Sequence, residues 1–171
     1  MPQIKIREWN EKPRTKLRFI KIGDIFCYQF LEEMFVFGQI LGKVNVGHVI
    51  QFFDIFQASP TITVEELSRA QFIGKPIIVD SYTLFDRSPV WSWQIIGHQA
   101  DFDPSPFKDL AFKWGDPNGL QFGKVWLDGR TEPKIFSREE VEDLDWEACV
   151  GSIVYNRILE EELARRGNKG V

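Results

Sequence analysis

The chain has 171 residues, a net charge of −4, 43% hydrophobic and 27% charged side chains, which is the composition of a soluble globular protein with material for one core and little for a second. No apolar run approaches the roughly 18 residues that a membrane span needs, and the polar opening "MPQIKIREWNEKPRTK" holds no apolar stretch of a secretory signal. Only Cys27 and Cys149 occur; two distant cysteines exclude a disulfide framework and read as free buried thiols in a reducing compartment, so a cytoplasmic protein is expected.

The charge is unevenly spread. Residues 1–21 carry seven bases against Glu8 and Glu11, leaving the remainder strongly acidic. The first 15 residues are expected to form a loosely held basic arm on a single domain spanning 1–171. In "KIGDIFCYQF" Gly23-Asp24 reads as a turn that leads into a strand. Phe26, Tyr28 and Phe30 share one face of that strand and Ile25 and Cys27 the other, so both faces are covered. "MFVFGQILG" (Met34–Gly42) is a second strand, with Gly38 marking a bulge or bend. After a "GKVN" turn, "GHVIQFFDIF" (Gly47–Phe56) is a third. Short connections argue an antiparallel meander, and apolar residues on both faces favour a strongly curled sheet or small barrel.

Thr63 followed three residues later by Glu66 fits a capping box, predicting a short helix over Val64–Phe72. Lys75–Phe85 and Val90–Gln99 read as strands, the latter half-buried with Trp91, Trp93 and Ile95 on one side. Asp116-Pro117-Asn118-Gly119 is a strong turn signal, and a late hairpin is expected across Asp128-Gly129 between "KVWLDG" and "EPKIF". From Ser137 the period becomes helical. Trp146, Cys149, Val150, Ile153, Val154, Ile158 and Leu163 form one stripe on a long helix from about Asp143 to Arg166, ending before Gly167. The fold class is α+β: a curled, mainly antiparallel sheet, of SH3-like half-barrel type, with a short helix and a long C-terminal helix that packs its Trp146–Ile153–Leu163 stripe on the sheet.

Motifs of catalysis are missing. There is no phosphate loop, no Cys-x-x-Cys, no His-Glu-x-x-His and no Gly-x-Ser-x-Gly. His98 with Asp101 and Asp103 could form a metal or general-base site, but reads more simply as a strand-end histidine beside a solvated acidic loop. His48 reads as a turn residue, and Cys27 as a packed thiol without a neighbouring base. Trp91 and Trp93 with Phe112, Trp114, Phe122 and Trp126 could stack on bases, yet an acidic chain argues against nucleic acid and core packing is the simpler reading. The least ordinary feature is the run Glu139, Glu140, Glu142, Asp143, Asp145 and Glu147, which faces one base, Arg138. Its plain reading is a solvated helix start; its functional reading is a surface complementary to a basic protein. No catalytic, metal or cofactor-binding residue is assigned, and neither an enzyme nor a cofactor is expected.

Taken in order, Lys21, Gly23, Asp24 and Phe26, then Phe37, Gly38, Ile40 and Leu41, then Phe52, Phe53 and Asp54, then Trp93, Ile96 and Gly97 resemble the pattern of immunity-protein family twenty-six of bacterial polymorphic toxin and contact-dependent inhibition systems. The resemblance covers roughly residues 17–107. It implies a protein that binds and neutralises a cognate toxin by occlusion, without catalysis. Many such toxins are nucleases with basic grooves, against which an acidic patch would mimic the phosphate backbone. The same Gly-Asp opening also occurs in small SH3-like barrels, including ribonuclease toxins. The alternative is therefore a barrel that binds or cleaves RNA or single-stranded nucleic acid with its rings and basic arm.

Overall fold

The structure is a computed structural model that describes residues 3–167. Its main body is a six-stranded antiparallel sheet in the order β1-β6-β2-β3-β4-β5. The strands are β1 (Ile4–Ile6), β2 (Asp24–Leu31), β3 (Met34–Val44), β4 (Gly47–Gln57), β5 (Phe72–Val79) and β6 (Trp93–Gln99). A second, two-stranded sheet is made of β7 (Ala111–Gly115) and β8 (Phe122–Trp126). The helices are α1 (Val64–Arg69) and α2 (Ser152–Gly167). The class is α+β, with one long C-terminal helix. The large sheet does not close into a barrel: β1 and β5 are its two edges. Among the described residues no helix is long and apolar enough to cross a membrane.

The alternation read in β2 sorts its side chains as expected. Phe26, Tyr28 and Phe30 enter one core cluster with Trp93, Phe52 and Phe85, while Ile25 and Cys27 enter another on the opposite face with Phe37 and Ile96. The first cluster is capped by Tyr155 and Leu159 of α2, the second by Leu67 of α1 and by Trp9. Burial of each large ring contributes about 2–3 kcal/mol. Trp93 is the hub of the first cluster: it stacks on Tyr28 at 4.3 Å and meets Phe26, Phe52, Phe85 and Tyr155 at 5.1–5.9 Å. β6 is therefore covered on both faces, not half-buried, because Trp93 and Ile95 enter the first cluster and Ile96 the second, with Gln94 buried as well. It also starts later than expected. Trp91 sits at φ 48, a left-handed conformation that a strand cannot contain.

Bulges bend the sheet. Register shifts interrupt β2 against β6 at Ile25/Phe26, β3 against β4 at Val36/Gly38 and Ile40/Gly42, and β4 against β5 at Ile50/Phe52, and each raises the local twist. Gly38 is forced by this geometry. A Cβ there would lie 2.5 Å from the Gln51 carbonyl oxygen and would run into the edge of the Phe26 ring.

Several expectations are corrected. Within the described residues, the stretch expected to be a loose arm is tied down from residue 4 onward: Ile4–Ile6 pairs with β6, Thr15 is buried, and Arg14 holds Asp86 at 2.7 Å. The Ile-Lys-Ile alternation, two apolar side chains flanking a charged one, is what makes this stretch an edge strand. The strand expected over Lys75–Phe85 ends at Val79, where Asp80 binds Thr83 and the chain makes a π turn over Tyr82–Asp86 that buries Phe85. α1 begins as predicted, with both halves of the Thr63–Glu66 capping box formed, but stops at Arg69. The turn expected at Asp128–Gly129 forms, with the Trp126 N–H on the Arg130 carbonyl at 2.9 Å and a bridge from Val125 to Thr131, but the longer hairpin turns at Asp116–Gly119 and joins β7 to β8. "EPKIF" contributes only the bridge from Phe136 to Phe122. α2 starts at Ser152, not near Asp143. Its inward face is Tyr155, Leu159 and Glu162, with Ile153 83% exposed and Trp146 outside the helix. Ile158 and Leu163 do pack against the ring cluster. Glu162 can face inward because Arg165 and Arg166 grip its carboxylate at 2.6 and 2.9 Å, which holds its pKa down to about 2.

Replacing Gly38 by alanine should destabilise the protein by about 2 kcal/mol or more through overpacking against a carbonyl that cannot move away. Urea unfolding followed by far-UV circular dichroism would show the midpoint fall; an unchanged midpoint would mean that the β3 bend relaxes freely.

Candidate functional site

The six acidic residues are distributed over a lobe built on the small sheet. Its hairpin is closed by the Gly119 N–H on the Asp116 carbonyl at 2.9 Å, and Phe136 folds back onto Phe122 through a reciprocal pair of backbone bonds. Phe122, Phe136 and Val141 form a small core of their own with Leu144 against it. Glu139 and Glu140 open a single 3-10 turn, Glu139–Val141, and the others follow in an irregular stretch. The expected placement at the start of a helix is thus corrected, and a helix dipole does not account for these charges.

Three of the six have structural employment. Glu140 takes the Lys134 ammonium at 2.6 Å and the Ser137 N–H at 2.8 Å. Asp145 pairs with Lys75 of β5 at 2.6 Å, and Glu147 accepts from the Asn45 N–H in the β3–β4 turn. These bonds fasten the acidic stretch to the large sheet. Lys113 of β7 steadies it from inside by donating to the Val141 and Glu142 carbonyls. Glu139, Glu142 and Asp143 are exposed and join no ion pair among the described residues. The lobe also exposes apolar side chains: Leu120 at 81%, Ile135 at 62% and Trp114 at 47%. Trp114 and Ile135 flank a cleft of about 390 Å³ floored by Phe122 and Gly123. The rings considered as a stacking platform do not form one, because Trp93, Phe112 and Phe122 are buried and Trp114 lies on the lobe surface.

The grouping of His98 with Asp101 and Asp103 is not formed. Asp101 accepts from the Gln3 N–H, and Asp103 is closed on Ser105. His98 instead holds Asp24, 74 residues away in sequence, with Nδ1 2.8 Å from the carboxylate. Asp24 also accepts the Lys21 N–H at 2.8 Å across the turn made by Gly23 at φ 87. A Cβ at Gly23 would stand 2.7 Å from the Gln99 carbonyl, so the turn requires glycine. Burial raises the Asp24 pKa, opposed by the Lys21 N–H and then by His98. This cluster lies in a second cleft, of about 350 Å³, where Arg7, Lys12 and Lys21 supply positive charge. No local spacing announces it, since the participants come together only through the β1–β6 and β6–β2 pairings.

The family model for Immunity protein 26 matches residues 21–123, more than half of the chain. The chain belongs to this family. Membership brings an immunity role and, in general terms, a toxin as partner. No curated protein and no solved structure matches the chain. The match opens on Lys21 and runs through β2 to the start of β8, so it extends further than the stretch recognised in the sequence. The acidic residues of this immunity protein lie beyond it.

Its remaining reactive groups are built into the fold. Cys27 is fully buried, and burial pushes its thiol up, away from thiolate chemistry. Cys149, expected to be buried, is exposed, with its thiol on the Val46 carbonyl at 3.1 Å. His48 is a strand residue in the interior and not a turn residue. Its Nδ1 lies 2.9 Å from the Ser81 hydroxyl, and burial, helped by Lys43, pushes its pKa down to about 4. The folded state therefore resists a proton that the unfolded chain accepts near pH 6.5.

Stability should fall as the pH drops from about 6.5 to about 4, by about 3 kcal/mol from this group. Urea unfolding at intervals across that window should show a flatter profile for His48→Gln than for the parent; identical slopes would clear His48 of the effect.

Proposed function

We propose that this immunity protein neutralises its toxin by docking the β7–β8 lobe over the toxin's active site or substrate path, and that the toxin surface it covers is basic. The observation that carries the reading is that one small lobe exposes Trp114, Leu120 and Ile135 and also carries the exposed acids Glu139, Glu142 and Asp143, which join no ion pair among the described residues. An apolar centre with a charged rim is the anatomy of a specific protein interface, and exposed apolar groups of this size mark contact surfaces more than solvent-facing ones. Tryptophan is among the residues that dominate such contacts. The acids would steer the encounter and set orientation, while the apolar groups would slow dissociation. A toxin that acts on nucleic acid would present the matching basic groove. The lobe would enter it as a rigid plug, because Asp145, Glu147 and Lys113 anchor its acidic stretch on both sides. Binding alone blocks the toxin, with no turnover and no cofactor, and the cytoplasm is where this protection would operate.

The test separates the two kinds of contact. With the cognate toxin domain immobilised, biolayer interferometry should show that reversing Glu139, Glu142 and Asp143 to lysine lowers the association rate about tenfold or more. In the parent, that rate should fall steeply once salt shortens the screening length to about 8 Å. Leu120→Asp should raise the dissociation rate with little change in association. Unchanged association after the triple reversal would move the toxin to another face.

A further inference from the structure

The cleft beside His98 has the composition of a ligand site, and neither the immunity role nor the lobe above uses it. Arg7, Lys12 and Lys21 line it, and none of the three joins an ion pair among the described residues. The lining holds one carboxylate, Asp24, which accepts from the Lys21 N–H and His98 and feels the Arg7 charge, so it offsets only part of the positive charge of the three bases. Lys5 adds to the positive side, standing directly opposite His98 across the β1–β6 pair. The deciding feature is Thr15. Thr15 lines the cleft at 3% exposure, its backbone N–H is fixed on the Phe85 carbonyl at 2.9 Å, and its buried hydroxyl has no hydrogen-bond partner among the described residues. A buried hydroxyl without a partner is uncommon and costly in a folded protein. Here it accompanies a concentration of unpaired cations around an open space.

We infer that this cleft binds the phosphate group of a small phosphorylated molecule. A guanidinium fork, two ammonium groups and a hydroxyl donor suit an oxyanion with three free oxygens better than a carboxylate with two. At about 350 Å³ the space exceeds what phosphate alone fills and falls within the size of small-ligand sites. Half-exposed Phe19 and buried Ile95 line the rest and would receive an apolar or aromatic remainder. The site stands on residues of the N-terminal segment and of β2 and β6, away from the β7–β8 lobe. It therefore does not depend on how the toxin is bound.

Isothermal titration of the full chain at low salt, with phenyl phosphate, inorganic phosphate and benzoate as probes, tests the inference. Phenyl phosphate should bind one to one and more tightly than inorganic phosphate, and benzoate about tenfold or more weakly. Arg7→Gln and Lys21→Gln should each weaken phenyl phosphate by about tenfold. Thr15→Val should weaken it as well while leaving the thermal midpoint equal or higher, since valine removes an unpartnered hydroxyl. A purely structural threonine would not separate the two readouts. Absence of saturable phenyl phosphate binding up to about 10 mM, where a contact worth roughly 3 kcal/mol would still register, overturns the inference. So does binding that is indifferent to Arg7→Gln.

Discussion

Everything in this fold is arranged around the indole of Trp93. It stands at the start of β6 beside β2, and its five ring neighbours come from β2, β4, the π turn and α2. Rings packed edge-to-face and offset are worth more than their area alone. Here they also bring together segments separated by more than a hundred residues. Two consequences follow. The turn after β5 must swing inward to deliver Phe85, which is why the chain leaves the strand at Val79. α2 must lie across the same cluster to deliver Tyr155, whose neighbour Asn156 accepts a hydrogen bond from the Tyr28 hydroxyl at 2.9 Å.

The opposite side of the sheet and its far end are covered by different means. Trp9 and α1 close the face that carries Cys27. The β7–β8 sheet closes the end that carries Leu41, Val49 and Ile78, with Phe112, Val125 and Leu127 as its contribution. The lobe is thus welded to the body by apolar packing at its root, while its outer part holds only a three-residue core of its own. A firm root and a projecting tip suit a surface that must keep its shape when a partner presses on it.

The parts legible from the sequence are those where pattern and packing agree. β2 to β4 show their alternation, the Thr63–Glu66 box announces α1, and Gly38 announces a bend. The parts misread are those where a local signal had a stronger rival. Ile4-Lys5-Ile6 alternates as a strand should, but the density of bases around it suggested an arm. The apolar stripe from Trp146 to Leu163 has helical spacing, yet Gly151 precedes the first turn of α2 and Ile153 faces water. The true inward face includes Glu162, a residue that no count of hydrophobicity would select until Arg165 and Arg166 are seen to hold it. Of the candidate surface, the acidic residues could be read from the chain but not their division into anchors and free charges. That division depends on Lys75, Asn45 and Lys134, which reach them only in the folded state. The cleft at Thr15 was beyond reach for the same reason, since its hydroxyl is ordinary in sequence and exceptional only by burial.

An unclosed sheet invites strand-to-strand growth into fibres, and both of its rims are blunted against it. The outer rim of β5 is broken by Pro76 and by Gly74 at φ 61, and the Ile78 carbonyl there is already taken by the Val150 N–H. On the other side β1 is only three residues long and carries Lys5 at its centre. Each rim therefore offers little template to a strand of a second copy. Edge-to-edge growth of the sheet is the route that this construction closes.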